Sequence, residues 1–253
     1  VELPAAVFRC SRYRRNLTYS EQWHHRHHQL ESSAHYTMAS AFASFLVLLL
    51  LCLSASASVH GGTYLAMSGK DSVVLVSDSR FSSQGSGATL LGTHPRFTLR
   101  VGASALVGCF GLDADARTLL HLLRRMLGAS GVGELEPASV ARVVSDLLYS
   151  NNLLLSPIVA GLDQGRPYLC TMDGLGAQTV SSTFAVVGTA NEGLLSLCES
   201  LYTPDLDTEQ LIALAERCFC LAMQRDVLSG GDFRVVTLTR EAVWVKDVQR
   251  LDV

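Results

Sequence analysis

Helical periodicity enters this sequence twice, each time as two adjacent segments, with strand-like runs before, between and after them. The first pair is "LDADARTLLHLLRRMLG" and "PASVARVVSDLLYSN". Leu119, Leu122, Leu123, Met126 and Leu127 share one face of the former, and Gly128 closes it. Pro137 suits the first turn of the latter. The second pair is "ANEGLLSLCESLY" and "DTEQLIALAERCFCLAMQRD", where Asp207 stands three residues ahead of Gln210 in the spacing of a reciprocal helix cap. Parallel sheets need a helix between each pair of successive strands. Paired helices point instead to antiparallel sheets with helices packed outside them. An α+β chain of this order is satisfied by a four-layer αββα sandwich.

The strand runs support that order. "TYLAMSG" and "SVVLVSDS" read as a hairpin about Gly69-Lys70-Asp71, and "RFTLRVG" and "SALVGCFG" as a second pair about Gly102. "SPIVAGLD", "RPYLCTMD" and "TFAVVGT" follow the first helix pair, and "DFRVVTLTR" with "AVWVKDVQR" closes the chain as another hairpin. Trp244 alternates with Val243 and Val245, which suits a packing or contact residue. The glycine runs at 85–87 and 128–133 match no phosphate-binding pattern and read as loops.

The chain has 253 residues, 48% of them hydrophobic, enough for one sizeable core. Its net charge of -3 gives no reason to expect nucleic acid or a membrane as a partner. The seven cysteines (10, 52, 109, 170, 198, 218 and 220) form neither a zinc nor a redox motif. Their apolar settings suggest reduced core thiols and a reducing compartment. His94 and His121 have no metal co-ligands in the sequence pattern.

Residues 1–60 read as a leader or extension ahead of a folded body at 61–253. "HHRHH" at 24–28 is compositionally a leader or tail rather than a metal site, and "NLT" at 16–18 is only a formal glycosylation site. The first methionine is Met38, which leaves two readings of the part upstream of it, a leader or a gene-model extension. From Met38, the apolar run Phe45–Leu53 is nine residues, too short to span a bilayer. Segment 38–58 fits the apolar region of a secretory signal followed by "SASAS", but it lacks a positive start.

Four long motifs carry a resemblance: "LAMSGKDSVVLVSDSRF" at 65–81, "PIVAGLD" at 157–163, "VVGTANEGLLSLCESLYTPDLD" at 186–207, and "AMQRDVLSGG" at 222–231. Together they make residues 61–253 similar to proteasome β subunits, and to a non-catalytic branch of that family in particular. The resemblance implies the N-terminal-nucleophile hydrolase fold. It also implies a place in a heteroheptameric β ring, between an α ring and the opposite β ring, bordering a neighbouring active subunit's pocket. It implies ubiquitin-dependent protein degradation as the setting, in cytoplasm and nucleus, and no cofactor.

In catalytic members an N-terminal threonine attacks through its hydroxyl, with its own amine as base and a lysine beside it. The register from Leu65-Ala66 to Asp78 places that nucleophile at Gly62, which has no side-chain oxygen. Thr63 is one residue late, and in a strand that turns its side chain to the other face. The lysine's counterpart is Arg96, which cannot shuttle a proton. The chain's two lysines, Lys70 and Lys246, lie elsewhere in the sequence. The family's serine falls near Gly188, with Thr189 adjacent. Asp78, Asp226 and Ser229 match and are read as a retained hydrogen-bond network rather than a working support shell. The expectation is therefore no catalytic residue. Two rivals stand beside it: a threonine endopeptidase matured by cleavage before Thr63, and a secreted binding protein on the same scaffold.

Overall fold

The computed structural model describes residues 62–84, 88–93, 98–129 and 135–249. The whole of 1–61 lies outside them, with "HHRHH", "NLT", the Phe45–Leu53 run, Cys10 and Cys52; so do the glycines at 85–87, most of the 128–133 run, His94 and Arg96.

The elements, in order, are β1 (Thr63–Ser68), β2 (Ser72–Asp78), β3 (Arg80–Gln84), β4 (Ala88–Thr93), β5 (Thr98–Val101), β6 (Ala105–Gly111), α1 (Asp113–Ala129) and α2 (Pro137–Asn151). There follow β7 (Leu155–Asp163), β8 (Arg166–Met172), β9 (Gln178–Ser181), β10 (Phe184–Gly188), α3 (Asn191–Leu201), α4 (Thr208–Met223), β11 (Phe233–Thr239) and β12 (Val243–Val248). Two five-stranded antiparallel sheets run β10-β1-β2-β11-β12 and β5-β6-β7-β8-β9, and β3 and β4 form a small hairpin. The paired helices and the expected hairpins are as the sequence predicts. The sequence reading lacks β3, β4 and β9; for β3 and β9 the cause is that "RFSSQ" and "QTVS" are too polar to carry a strand signal.

Strand alternation sends successive side chains to opposite faces, and three buried clusters follow from it. Leu65, Met67, Val74, Val76 and Val235 point from the first sheet onto Leu194 and Cys198 of α3 and Leu211, Ala215 and Phe219 of α4. Their neighbours Tyr64, Ala66, Val73 and Leu75 point the other way, onto Leu106, Ile158, Ala160 and Leu169 of the second sheet. Val107, Cys109, Val159 and Cys170 on that sheet's far face meet α1 and α2 through Leu119, Leu123, Val140 and Val144. Phe219 is fully buried, its ring centroid 5.5 Å from that of Phe233.

The helix ends are set locally. The Asp207 carboxylate accepts the Gln210 N–H at 2.8 Å while the Gln210 side chain accepts the Asp207 N–H, the reciprocal cap read from the sequence. Pro137 opens α2, and Asn152 ends it in the left-handed region at φ 50°. The five described cysteines are free thiols. Four are fully buried, and burial pushes the Cys109 thiol up to about 12, which keeps it inert.

Candidate functional site

The motif residues converge where four chain segments meet: the start of β1, the end of β2, the end of β10 and the turn after α4. β1 lies between β10 and β2, with Thr63 opposite Gly188 and Tyr64 opposite Ser77. The Gly62 carbonyl accepts the Thr189 N–H at 3.1 Å, fixing the chain one residue before β1. Gly188 makes that approach possible. A Cβ there would lie 2.3 Å from the Gly62 oxygen and 2.6 Å from Thr63 Cα, and its φ of +124° is open to glycine.

At Gly62 itself, a Cβ would sit 3.5 Å from Asp78 Oδ1 and 3.9 Å from the Phe110 ring. The side-chain position at 62 therefore faces Asp78. Thr63 turns its hydroxyl elsewhere, towards Ser229 at 2.6 Å. Positions 62 and 63 thus face different partners, but the Thr63 hydroxyl stays within the group of motif residues rather than leaving it.

Asp78 is buried and joins two segments: one oxygen accepts the Thr63 N–H at 3.0 Å, the other the Gly230 N–H at 2.9 Å. The second acid, Asp226, anchors the turn. It accepts the Leu228 N–H at 3.0 Å, the Ser229 N–H at 3.2 Å and the Thr189 hydroxyl at 2.6 Å. Burial opposes its ionised form, but donation from Thr189, from the Leu228 N–H and from Ser229 outweighs that and holds the carboxyl below its ordinary value. Arg80 and Ser82 hold the outer side of the turn. The guanidinium donates to the Val227 carbonyl at 3.0 Å, and the hydroxyl to the Leu228 carbonyl at 2.6 Å.

The hydroxyls form a chain whose direction is set by its charged end. Thr189 has one proton and gives it to Asp226, so the Ser229 hydroxyl donates to Thr189. The Thr63 hydroxyl must then donate to Ser229, and its oxygen accepts the Ala190 N–H at 3.2 Å. Every proton in the chain points towards Asp226. Thr63, fully buried, spends its proton on a neighbour and its lone pair on a backbone N–H.

Of the residues singled out from sequence, Gly62, Asp78, Asp226 and Ser229 come together here. Thr63 and Thr189, read from the sequence as bystanders, are the links that join them. The signal for both was a threonine beside a glycine at the end of an apolar strand, where a polar side chain must find a buried partner. Neither lysine is in the site. Lys70 sits exposed in the β1–β2 turn, and Lys246 pairs with Glu216 at 2.6 Å on β12. As an intact peptide nitrogen bonded to Asp78, the Thr63 nitrogen is no base. The arrangement can fix the start of β1 against the 226–231 turn. Among the described residues no group of acids, histidines and cysteines is placed to hold a metal ion.

The "Proteasome subunit" family model matches residues 58–238, from ahead of β1 almost to the end of β11. Proteasome subunit beta type-3-A of Arabidopsis thaliana is 31% identical over 189 residues, 71% of this chain and 91% of the relative. Proteasome subunit beta type-3 of Caenorhabditis elegans is 30% identical over 203 residues, 77% of this chain and 98% of the relative. Its namesake in Saccharomyces cerevisiae is 31% identical over 200 residues, with 76% and 95% covered. The match takes in every described strand except β12, all four described helices and every described residue of the site, and the chain belongs to the proteasome subunit family.

Proposed function

We propose that this chain is a non-catalytic β subunit of the proteasome core, whose work is assembly rather than hydrolysis. One observation carries the reading. The side-chain position that faces Asp78 belongs to Gly62, while the neighbouring threonine hydroxyl is buried and already donating to Ser229. A nucleophile needs a free hydroxyl and a base to take its proton, and here the hydroxyl chain runs to an ionised carboxylate through two intermediate donors. The two sheets and their outer helices are those of the αββα sandwich of N-terminal-nucleophile hydrolases. The chain then occupies one place in a heteroheptameric β ring, against an α ring on one side and the opposite β ring on the other, in ubiquitin-dependent protein degradation. The free thiols suit a reducing setting such as cytoplasm and nucleus.

A second reading has a specific observation in its favour. Cleavage before Thr63 would give an amine 3.0 Å from Asp78 and a hydroxyl 2.6 Å from Ser229. Against it stand the complete burial of Thr63 and the absence of a lysine from the site. Intact mass of the chain from its natural source, before and after a threonine-directed epoxyketone, separates the two. The structural reading expects no cleavage at Thr63 and no adduct. A chain beginning at Thr63 and carrying the adduct is a peptidase.

A further inference from the structure

We propose that Lys70 is this chain's acceptor site for acyl modification, by transfer from a thioester to its ε-amine, and that Glu216 shields the second lysine from that chemistry. The chain holds 18 arginines but only two lysines, Lys70 and Lys246. Both residue types supply positive charge. Only lysine has an amine that can give up a proton and attack a carbonyl; a guanidinium in a protein cannot. The cations of this chain are thus almost all of the kind that resists acylation. Acyl chemistry aimed at its lysines has two places to go.

Exposure alone does not separate the two, since the Lys246 side chain is itself 60% exposed. Pairing does. Lys246 stands on β12, and its Nζ donates to Glu216 Oε1 of α4 at 2.6 Å. The Glu216 side chain is only 23% exposed, so its carboxylate is held against the helix. An acyl carbon approaching Lys246 must first displace a charge-assisted bond. Lys70 is arranged the other way, with a fixed backbone and an exposed side chain. Its N–H donates to the Leu206 carbonyl at 2.9 Å, and the Gly69 N–H donates to the Ser72 carbonyl at 2.8 Å. The Lys70 side chain makes no ion pair among the described residues. Its neighbour Asp71 is engaged by Arg240 at 3.6 Å. A tight turn with its backbone tied down presents that amine to solvent. The turn lies at the far end of β1 from Thr63, about 20 Å away at strand rise, so a group added there leaves the hydroxyl chain untouched.

The step is an acyl transfer. The ammonium gives one proton to water, and the free amine attacks the thioester carbonyl. A C–N bond forms, the C–S bond breaks, and the leaving thiolate takes up a proton. The product is an amide on Lys70 without the charge of the lysine. A small acyl thioester and the C-terminal thioester of a protein modifier share this chemistry.

The test uses the full-length chain as wild type, K70R, K246R and E216Q, with thermal melts to confirm folding. One arm supplies acetyl-coenzyme A, the other a conjugating enzyme charged with ubiquitin as its thioester, so the two donor sources are told apart. Peptide mass spectrometry reads the mark on each lysine. In wild type the proposal expects Lys70 to be marked about fivefold more than Lys246 in at least one arm, the scale of one exposed ion pair. K246R should keep the Lys70 mark, and K70R should retain only the weak one at Lys246. E216Q should raise Lys246 to about the level of Lys70, an effect that exposure by itself would not produce. Equal marking of the two lysines in wild type overturns the proposal, as does an E216Q chain whose Lys246 stays at its wild-type level. No mark on Lys70 in either arm overturns it as well. Each of these results leaves the β-subunit reading intact, because none of them bears on Gly62 or Thr63.

Discussion

Replacing Thr63 with valine keeps the β-branched shape and removes only the hydroxyl at the centre of the polar chain. Two buried bonds go: the 2.6 Å bond to Ser229 and the 3.2 Å bond from the Ala190 N–H. Position 63 is fully buried, so no water takes over. Each bond is worth about 0.5–1.5 kcal/mol net, and a buried N–H left without an acceptor costs about 1–3 kcal/mol. Ser229 keeps Thr189 and suffers less, so the loss should be about 2–4 kcal/mol. For a folded body of this size that lowers Tm by about 5–12 °C. Urea unfolding and thermal melts of wild type, Thr63→Val and Thr63→Ser measure it. Serine retains both bonds and should cost less than about 1.5 kcal/mol. A double-mutant cycle with Ser229→Ala should give a coupling of about 0.5–3 kcal/mol, because the two hydroxyls act as one unit. If Thr63→Val melts with wild type, or its effect simply adds to that of Ser229→Ala, the hydroxyl chain is not what holds β1.

Asp226→Asn should weaken the turn and flatten the acid limb of the stability–pH curve. The folded carboxyl is held below its ordinary value of 3.8, so its contribution is complete above that value and is lost as pH falls towards the depressed one. Denaturation midpoints between neutral pH and pH 2–3 check the difference, and identical acid limbs would contradict it. Gly188→Ala should destabilise by about 1–3 kcal/mol or prevent folding, since its Cβ would lie 2.3 Å from a backbone oxygen at a φ of +124°; circular dichroism melts read it directly. Phe219→Ala, at the fully buried contact between α4 and β11, should cost about 3–5 kcal/mol in urea unfolding with the site geometry unchanged.

What was legible in the sequence follows from how each feature is encoded. The helices of α1 and α4 announce themselves through apolar spacing and, for α4, through a cap made of neighbours three residues apart. The sheet cores are legible because β1, β2 and β7 are nearly continuous apolar runs. β9 carries no such signal: three of its four residues are exposed on a sheet edge, so their types are set by solvent rather than by pairing. At the site, Gly62, Asp78, Asp226 and Ser229 could be placed by register, since each sits at a fixed distance from an apolar motif. The roles of Thr63 and Thr189 could not. Their partners lie 166 and 37 residues away, and only the β1–β10 register brings those hydroxyls into line.

The central claim is that the chain is built into the particle without a nucleophile of its own. It is tested most directly by mass spectrometry of the chain recovered from assembled particles saturated with a threonine-directed epoxyketone. Catalytic neighbours in the same sample serve as the positive control. The account predicts that the chain co-elutes with them far ahead of a monomer and carries no added mass while they are labelled. An epoxyketone adduct mapped to Thr63, or failure to find the chain in the particle at all, would contradict it.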